Sequence, residues 1–116
     1  MHGFCHIEIP SRDFDKVKKF YGGLFDWKFR EMEGMKYLLF TPPDGPGGGF
    51  SQGADFVEKP GTLLYVEVSD IEASIKKAER LGGQCKRGKT MITPEHGYFA
   101  ELKDLEGNLL GIWSKN

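Results

Sequence analysis

The strongest constraint on this chain is that it repeats itself. Residues 4–27 (FCHIEIPSRDFDKVKKFYGGLFDW) and residues 61–84 (GTLLYVEVSDIEASIKKAERLGGQ) share one pattern of strand, turn, helix and exit, 57 positions apart. Asp13 falls over Asp70, Phe14 over Ile71, Asp15 over Glu72 and Leu24 over Leu81. Further on the offset becomes 62, because Thr41 to Gly45 (TPPDG) falls over Lys103 to Gly107 (KDLEG). The second copy therefore carries about five extra residues before its last hairpin. Two copies of one strand-helix-strands unit predict a pseudo-twofold with a cleft shared between the copies.

Bulk properties narrow the class. A chain of 116 residues buries roughly two-thirds of its unfolded surface, enough for one core without staples. The expected organisation is a single domain over 1–116, with module 1 at about 1–53 and module 2 at about 61–116. A net charge of −1 gives no concentrated basic face, so neither nucleic acid nor an anionic membrane is an expected partner. Lys16, Lys18, Lys19, Lys76, Lys77 and Arg80 fall on predicted helices and read as solvated faces. No stretch approaches 18 apolar residues and no basic segment precedes an apolar one, so a cytoplasmic location is expected. Cys5 and Cys85 are too few for a disulfide framework and read as reduced thiols in or near the core.

Periodicity predicts eight strands and two helices. The strands are expected at about Phe4–Pro10, Trp27–Met32, Met35–Thr41, Phe50–Gln52, Leu63–Val68, Gln84–Arg87, Tyr98–Lys103 and Leu109–Ser114. The first helix runs over about Asp13–Leu24, with Phe14, Val17, Phe20, Tyr21 and Leu24 on one face. The second starts at the capping box Ser69 to Glu72, carries Ile71, Ile75, Ala78 and Leu81 inward, and stops at Gly82 and Gly83.

His6-Ile-Glu-Ile-Pro10, Phe20-Tyr-Gly-Gly-Leu-Phe-Asp-Trp27, Val68-Ser-Asp-Ile-Glu72, Leu81-Gly-Gly83 and Asp104-Leu-Glu-Gly-Asn108 occur in that order over nearly the whole chain. Together they resemble the vicinal oxygen chelate superfamily, which includes glyoxalase I, bleomycin-resistance proteins and extradiol dioxygenases. The resemblance implies an α+β fold: two tandem βαβββ modules forming a curled mixed sheet with an open cleft, helices outside. It also implies dimerisation, and a homodimer is expected.

Alternation along the strands then selects the residues facing that cleft. With Ile7 and Ile9 under the first helix, period two turns His6 and Glu8 the other way. With Leu64, Val66 and Val68 under the second, Leu63, Tyr65 and Glu67 face the cleft, joined by Leu109, Gly111 and Trp113 from the last strand. The face of Tyr98–Lys103 stays open, because Phe99 and Leu102 are both apolar and lie on opposite sides.

Metal-dependent relatives place a ligand on the first and last strand of each module, and here the matching positions read His6, Gly49, Leu63 and Gly111. Of these only His6 offers a donor, fewer than a divalent site requires, so no metal and no other cofactor is expected. His2 would stand about 13 Å from His6 along a strand, too far to share an ion. His96, in the expected long loop before the final hairpin, is the residue that could rebuild a site with His6, Glu8 or Glu101. The glycine-rich run Asp44 to Phe50 lacks the Gly-Lys-Ser/Thr end of a phosphate loop and opens no helix.

Two functions follow from different classes. The first is a small-molecule-binding protein, like the drug-sequestering relatives, with Leu63, Tyr65 and Trp113 supplying contact area and Glu8 and Glu67 orienting the ligand. The alternative is a metal-independent, or rebuilt-metal, lyase or isomerase, related to lactoylglutathione lyase, with His6 and Glu8 as acid and base and Tyr65 as hydrogen-bond donor.

Overall fold

The structure is a computed structural model and describes residues 1–57 and 59–116. The chain divides into two compact units, Met1–Phe56 and Val57–Asn116. Each is a βαβββ module carrying its own four-stranded mixed sheet.

The first unit opens with β1 (Ile7–Pro10). It starts three residues later than expected, leaving Cys5 and His6 ahead of the ladder. Cys5 is accordingly exposed, which corrects the expectation of a thiol in or near the core, while Cys85 is half-buried. Asp13 caps the following helix by accepting from the Asp15 N–H at 3.0 Å. That helix is not uniform: α1 (Phe14–Val17) passes through a π-helical turn at Lys18–Gly22 into α2 (Gly23–Phe25). The wider turn accommodates Phe20 and Tyr21, adjacent bulky side chains that are both buried. Asp26, left-handed at φ 59°, ends the helix, and β2 (Lys28–Met32), β3 (Tyr37–Thr41) and β4 (Gly48–Ser51) complete the unit.

The strand order is β1-β4-β3-β2, with β1 parallel to β4 and the other pairs antiparallel. Pairing of Ile9 with Phe50, and of Phe50 with Leu38, puts these side chains on the helix side. There Val17, Phe20, Tyr21, Leu38, Phe40 and Phe50 form the core. Tyr21 links Phe20, Phe25, Trp27 and Phe50 at centroid distances of 5.0–6.3 Å, and Trp27 stacks on Phe40 at 4.5 Å.

The second unit repeats the scheme with β5 (Tyr65–Glu67), α3 (Ile71–Arg80), β6 (Gln84–Thr93), β7 (Gly97–Lys103) and β8 (Leu109–Ser114), in the order β5-β8-β7-β6. The N-cap of α3 is Asp70, accepting from the Ala73 N–H at 3.0 Å, so the cap falls one residue beyond the expected Ser69. Its end is a Schellman motif in which Gly83 N–H donates to Ala78 O (2.9 Å) and Gly82 N–H to Glu79 O (3.0 Å), with Gly82 at φ 101°. Ile71, Ala78, Ala100, Leu102, Leu110 and Ile112 are buried as this unit's core. Leu64, expected under α3, is instead 42% exposed, because it precedes the short edge strand β5.

The largest departure from expectation is β6. It has 10 residues where its counterpart β2 has 5, and its pairing with β7 shifts register three times. The five extra residues of the repeat are absorbed as bulged strand, not as loop.

Candidate functional site

In each unit one sheet face carries the helix and the other is free of it. On the free face of the first sheet the register aligns Glu8, Gly49 and Leu39 across β1, β4 and β3. Tyr37, two residues before Leu39, shares that face, and a Cβ added to Gly49 would fall inside its ring. The glycine is thus the seat of an aromatic ring. His6 reaches the same ring, with Nε2 2.6 Å from the Tyr37 hydroxyl and the two ring planes 14° apart.

Glu8 is the hydroxyl's other neighbour. The Tyr37 pKa is raised above 10.0, first by burial and then by the Glu8 carboxylate, as hydrogen-bond acceptor and as negative charge. A carboxylate only accepts, so where the hydroxyl donates to Glu8 its oxygen receives His6 Nε2–H. That tautomer leaves His6 Nδ1 open as an acceptor. Glu8, Tyr37 and His6 thus form one chain of polar groups, with Tyr37, unassigned from sequence, at its centre.

The second sheet repeats the register and changes the chemistry. Tyr65, Gly111 and Glu101 align across β5, β8 and β7, in the places that Glu8, Gly49 and Leu39 hold in the first. Here the ring seated on glycine comes from the first strand of the unit, since a Cβ at Gly111 would meet Tyr65. Glu67 pairs with Trp113, and Trp113 with Phe99, so Tyr65, Glu67, Phe99, Glu101 and Trp113 share one face. Leu102, opposite Leu110, belongs to the core face.

Tyr65, Ile92, Phe99 and Trp113 line a depression of about 420 Å³. Its rings are held in place: Trp113 Nε1–H donates to His96 O at 2.7 Å, and Tyr65 meets Phe99 edge to face at 6.3 Å. Tyr65 is 49% exposed and Ile92 46%, so the apolar surface is open to solvent. Of the ligand residues expected from sequence, Tyr65 and Trp113 line this depression. Glu67 shares the face outside the lining, Leu63 precedes β5, and Glu8 belongs to the first unit. Ile92 and Phe99 were not expected. Ile92 lies in the part of β6 read as loop, and Phe99 stands on the strand whose face the sequence left open.

His96 also lies in a different setting from the long loop expected of it. It occupies the turn between β6 and β7, with Nδ1 2.8 Å from Thr93 Oγ1 and its own N–H donating to that oxygen at 2.9 Å. Among the described residues, no three His, Cys, Asp or Glu side chains converge to hold one ion. The four positions matching the metal-dependent pattern do not fit a divalent ion. Gly49 and Gly111 offer no donor, the space above each is filled by a tyrosine ring, and Leu63 is aliphatic.

Tandem βαβββ units with a mixed sheet in each, and chemistry-bearing residues on the helix-free faces, define a class of paired-module α+β proteins. The chain belongs to the Glyoxalase/Bleomycin resistance protein/Dioxygenase superfamily, whose sequence profile matches residues 3–112. A "Glyoxylase-like domain-containing protein" of Didymella fabae is 29% identical over 123 residues, covering 99% of this chain and 96% of the relative. Solved structures with the same fold include a glyoxalase/bleomycin resistance protein/dioxygenase family enzyme from Burkholderia phytofirmans PsJN (TM-score 0.77, 19% identity, 96% and 97% of the two chains). Another is the fosfomycin resistance protein FosX from Listeria monocytogenes in complex with Mn(II) and sulfate (TM-score 0.82, 16% identity, 100% and 92%).

Proposed function

We propose that this chain binds a small, partly aromatic organic molecule on the helix-free face of its second sheet, without the metal of metal-dependent family members. The observation that carries the reading is the depression of Tyr65, Ile92, Phe99 and Trp113, three rings and an aliphatic side chain left open to solvent. A purely structural sheet has no reason to keep these four together and unburied. Loss of the metal is supported by the donor set: one imidazole among His6, Gly49, Leu63 and Gly111.

A thermal-shift screen tests this directly. Planar aromatics should raise the melting temperature, and Trp113→Ala should abolish the rise. A screen in which only thiol adducts or oxo-acids stabilise the protein, unaffected by Trp113→Ala, would overturn it.

One observation favours a second reading, that of a metal-independent lyase or isomerase. The Tyr37 hydroxyl lies between Glu8 and His6, which makes His6 Nδ1 a base oriented through a relay. Turnover of a small hydroxy- or oxo-substrate that falls by two orders of magnitude in His6→Ala and persists in EDTA would put this reading first. A homodimer in the cytoplasm remains our expectation. What bears on it here is that no helix among the described residues is long and apolar enough to cross a membrane. Sedimentation at micromolar concentration tests the dimer.

A further inference from the structure

We infer that the depression on the second sheet is a cation box whose preferred ligand carries a small alkylated ammonium group. The inference rests on the proposed binding role of that depression and names the chemistry it selects. Three of its four lining residues are aromatic, and aromatic faces carry negative quadrupole potential that attracts a cation within about 6 Å of the centroid. Two carboxylates stand beside them in the ladder: Glu67 pairs with Trp113, and Glu101 pairs with Gly111, the glycine on which the Tyr65 ring rests.

Two cations share this side: Arg87, the ladder partner of Glu101, and Lys103, two residues beyond Glu101 on β7 and paired with Leu109. The Arg87 guanidinium lies 5.1 Å from the centroid of Phe99, so this ring already receives the protein's own cation. Arg87 competes with a ligand cation for Phe99, and the charges of Glu67, Glu101, Arg87 and Lys103 on this face balance, so the preference rests on the rings, Tyr65 and Trp113 foremost. The lining offers no cationic side chain and no hydrogen-bond donor beyond the Tyr65 hydroxyl, because the Trp113 N–H is committed to His96 O. A quaternary or tertiary ammonium, weakly hydrated and apolar on its surface, suits these rings.

The test compares choline with its uncharged isostere 3,3-dimethylbutan-1-ol, which has the same shape. Both are titrated into the full chain and read by chemical-shift changes at Tyr65, Phe99 and the Trp113 indole. At rings open to solvent a cation–π preference corresponds to roughly a 2- to 5-fold difference in Kd, so choline should bind at least about twofold more tightly. Phe99→Leu, which keeps apolar bulk, should weaken choline more than the isostere and so narrow that preference. Arg87→Met should tighten choline alone.

Equal affinities for the two probes, both at these residues, would overturn the cation preference while leaving the binding site in place. Shifts that avoid all three residues would overturn the inference together with the reading it rests on.

Discussion

Tyr37 and Tyr65 do comparable jobs from non-equivalent positions. Each ring rests on a glycine of its unit's last strand, but Tyr37 comes from β3 and Tyr65 from β5. In the repeat Tyr37 corresponds to Phe99 and Tyr65 to Glu8. The two modules have therefore exchanged which strand supplies the ring and which supplies the acid. Gly49→Ala should cost about 1–3 kcal/mol, because its methyl must displace a seated ring. Tyr37→Ala in the same chain should recover much of that loss, a non-additivity that chemical denaturation would measure. Titration gives a second check. Tyr37 is kept neutral by burial and by Glu8, so its phenolate absorbance should appear later than that of a free tyrosine at 10.0, and Glu8→Gln should move it only part of the way back. The sign for stability follows. With its folded pKa raised, Tyr37 contributes stability that is fully present below pH 10 and is lost as pH rises through the folded value. The cysteines should separate as well: iodoacetamide should modify exposed Cys5 before Cys85, whose thiolate is disfavoured by burial and then by Glu79. Faster labelling of Cys85 would contradict that environment.

Among the elements, those with a single strong local signal were legible from sequence and those shaped by packing were not. β8 has the expected limits, Leu109–Ser114, because it is a short apolar run that the turn residues Gly107 and Asn108 open and the polar Lys115 and Asn116 close. Helix α3 was legible through its caps, although Asp70 and not Ser69 holds the N-terminus. Asp70→Ala should therefore destabilise the protein by about 1 kcal/mol, while Ser69→Ala removes no cap side chain and should cost less, a difference that denaturant midpoints would resolve. The π turn at Lys18–Gly22 was not legible, since helical period alone does not report that two neighbouring rings must both be buried. β6 was missed beyond Arg87 because its bulges break the alternation that marks a strand. That miss carried a wall of the depression with it: Ile92 belongs to the bulged stretch, and Phe99 is assigned to its face by pairing with Trp113. Tyr37 was hidden for a related reason. In Tyr37-Leu-Leu-Phe-Thr41 four successive residues are apolar or aromatic, so period two gives no contrast between faces.

For the whole chain, duplication explains both what the family fold retains and what this sequence changed. The pairing of the first, last and third strands is the same in both units, down to the glycine aligned with the second residue of the first strand in one and with Tyr65 in the other. Neither glycine offers a donor side chain, and a tyrosine ring fills the space above each. EDTA should therefore leave the melting temperature unchanged. The central claim, that binding takes place on the second sheet without a metal, is tested most directly by titrating EDTA-dialysed protein with 2-naphthol and following the two tryptophan indole N–H signals. Trp27 is packed in the aromatic cluster of the first unit and serves as the internal reference, while Trp113 lines the depression. The account predicts a saturable shift of the Trp113 signal, with Trp27 unmoved and no change on adding Mn²⁺. A Trp113 shift that appears only after Mn²⁺ is restored, or a saturable shift at Trp27 alone, would contradict it.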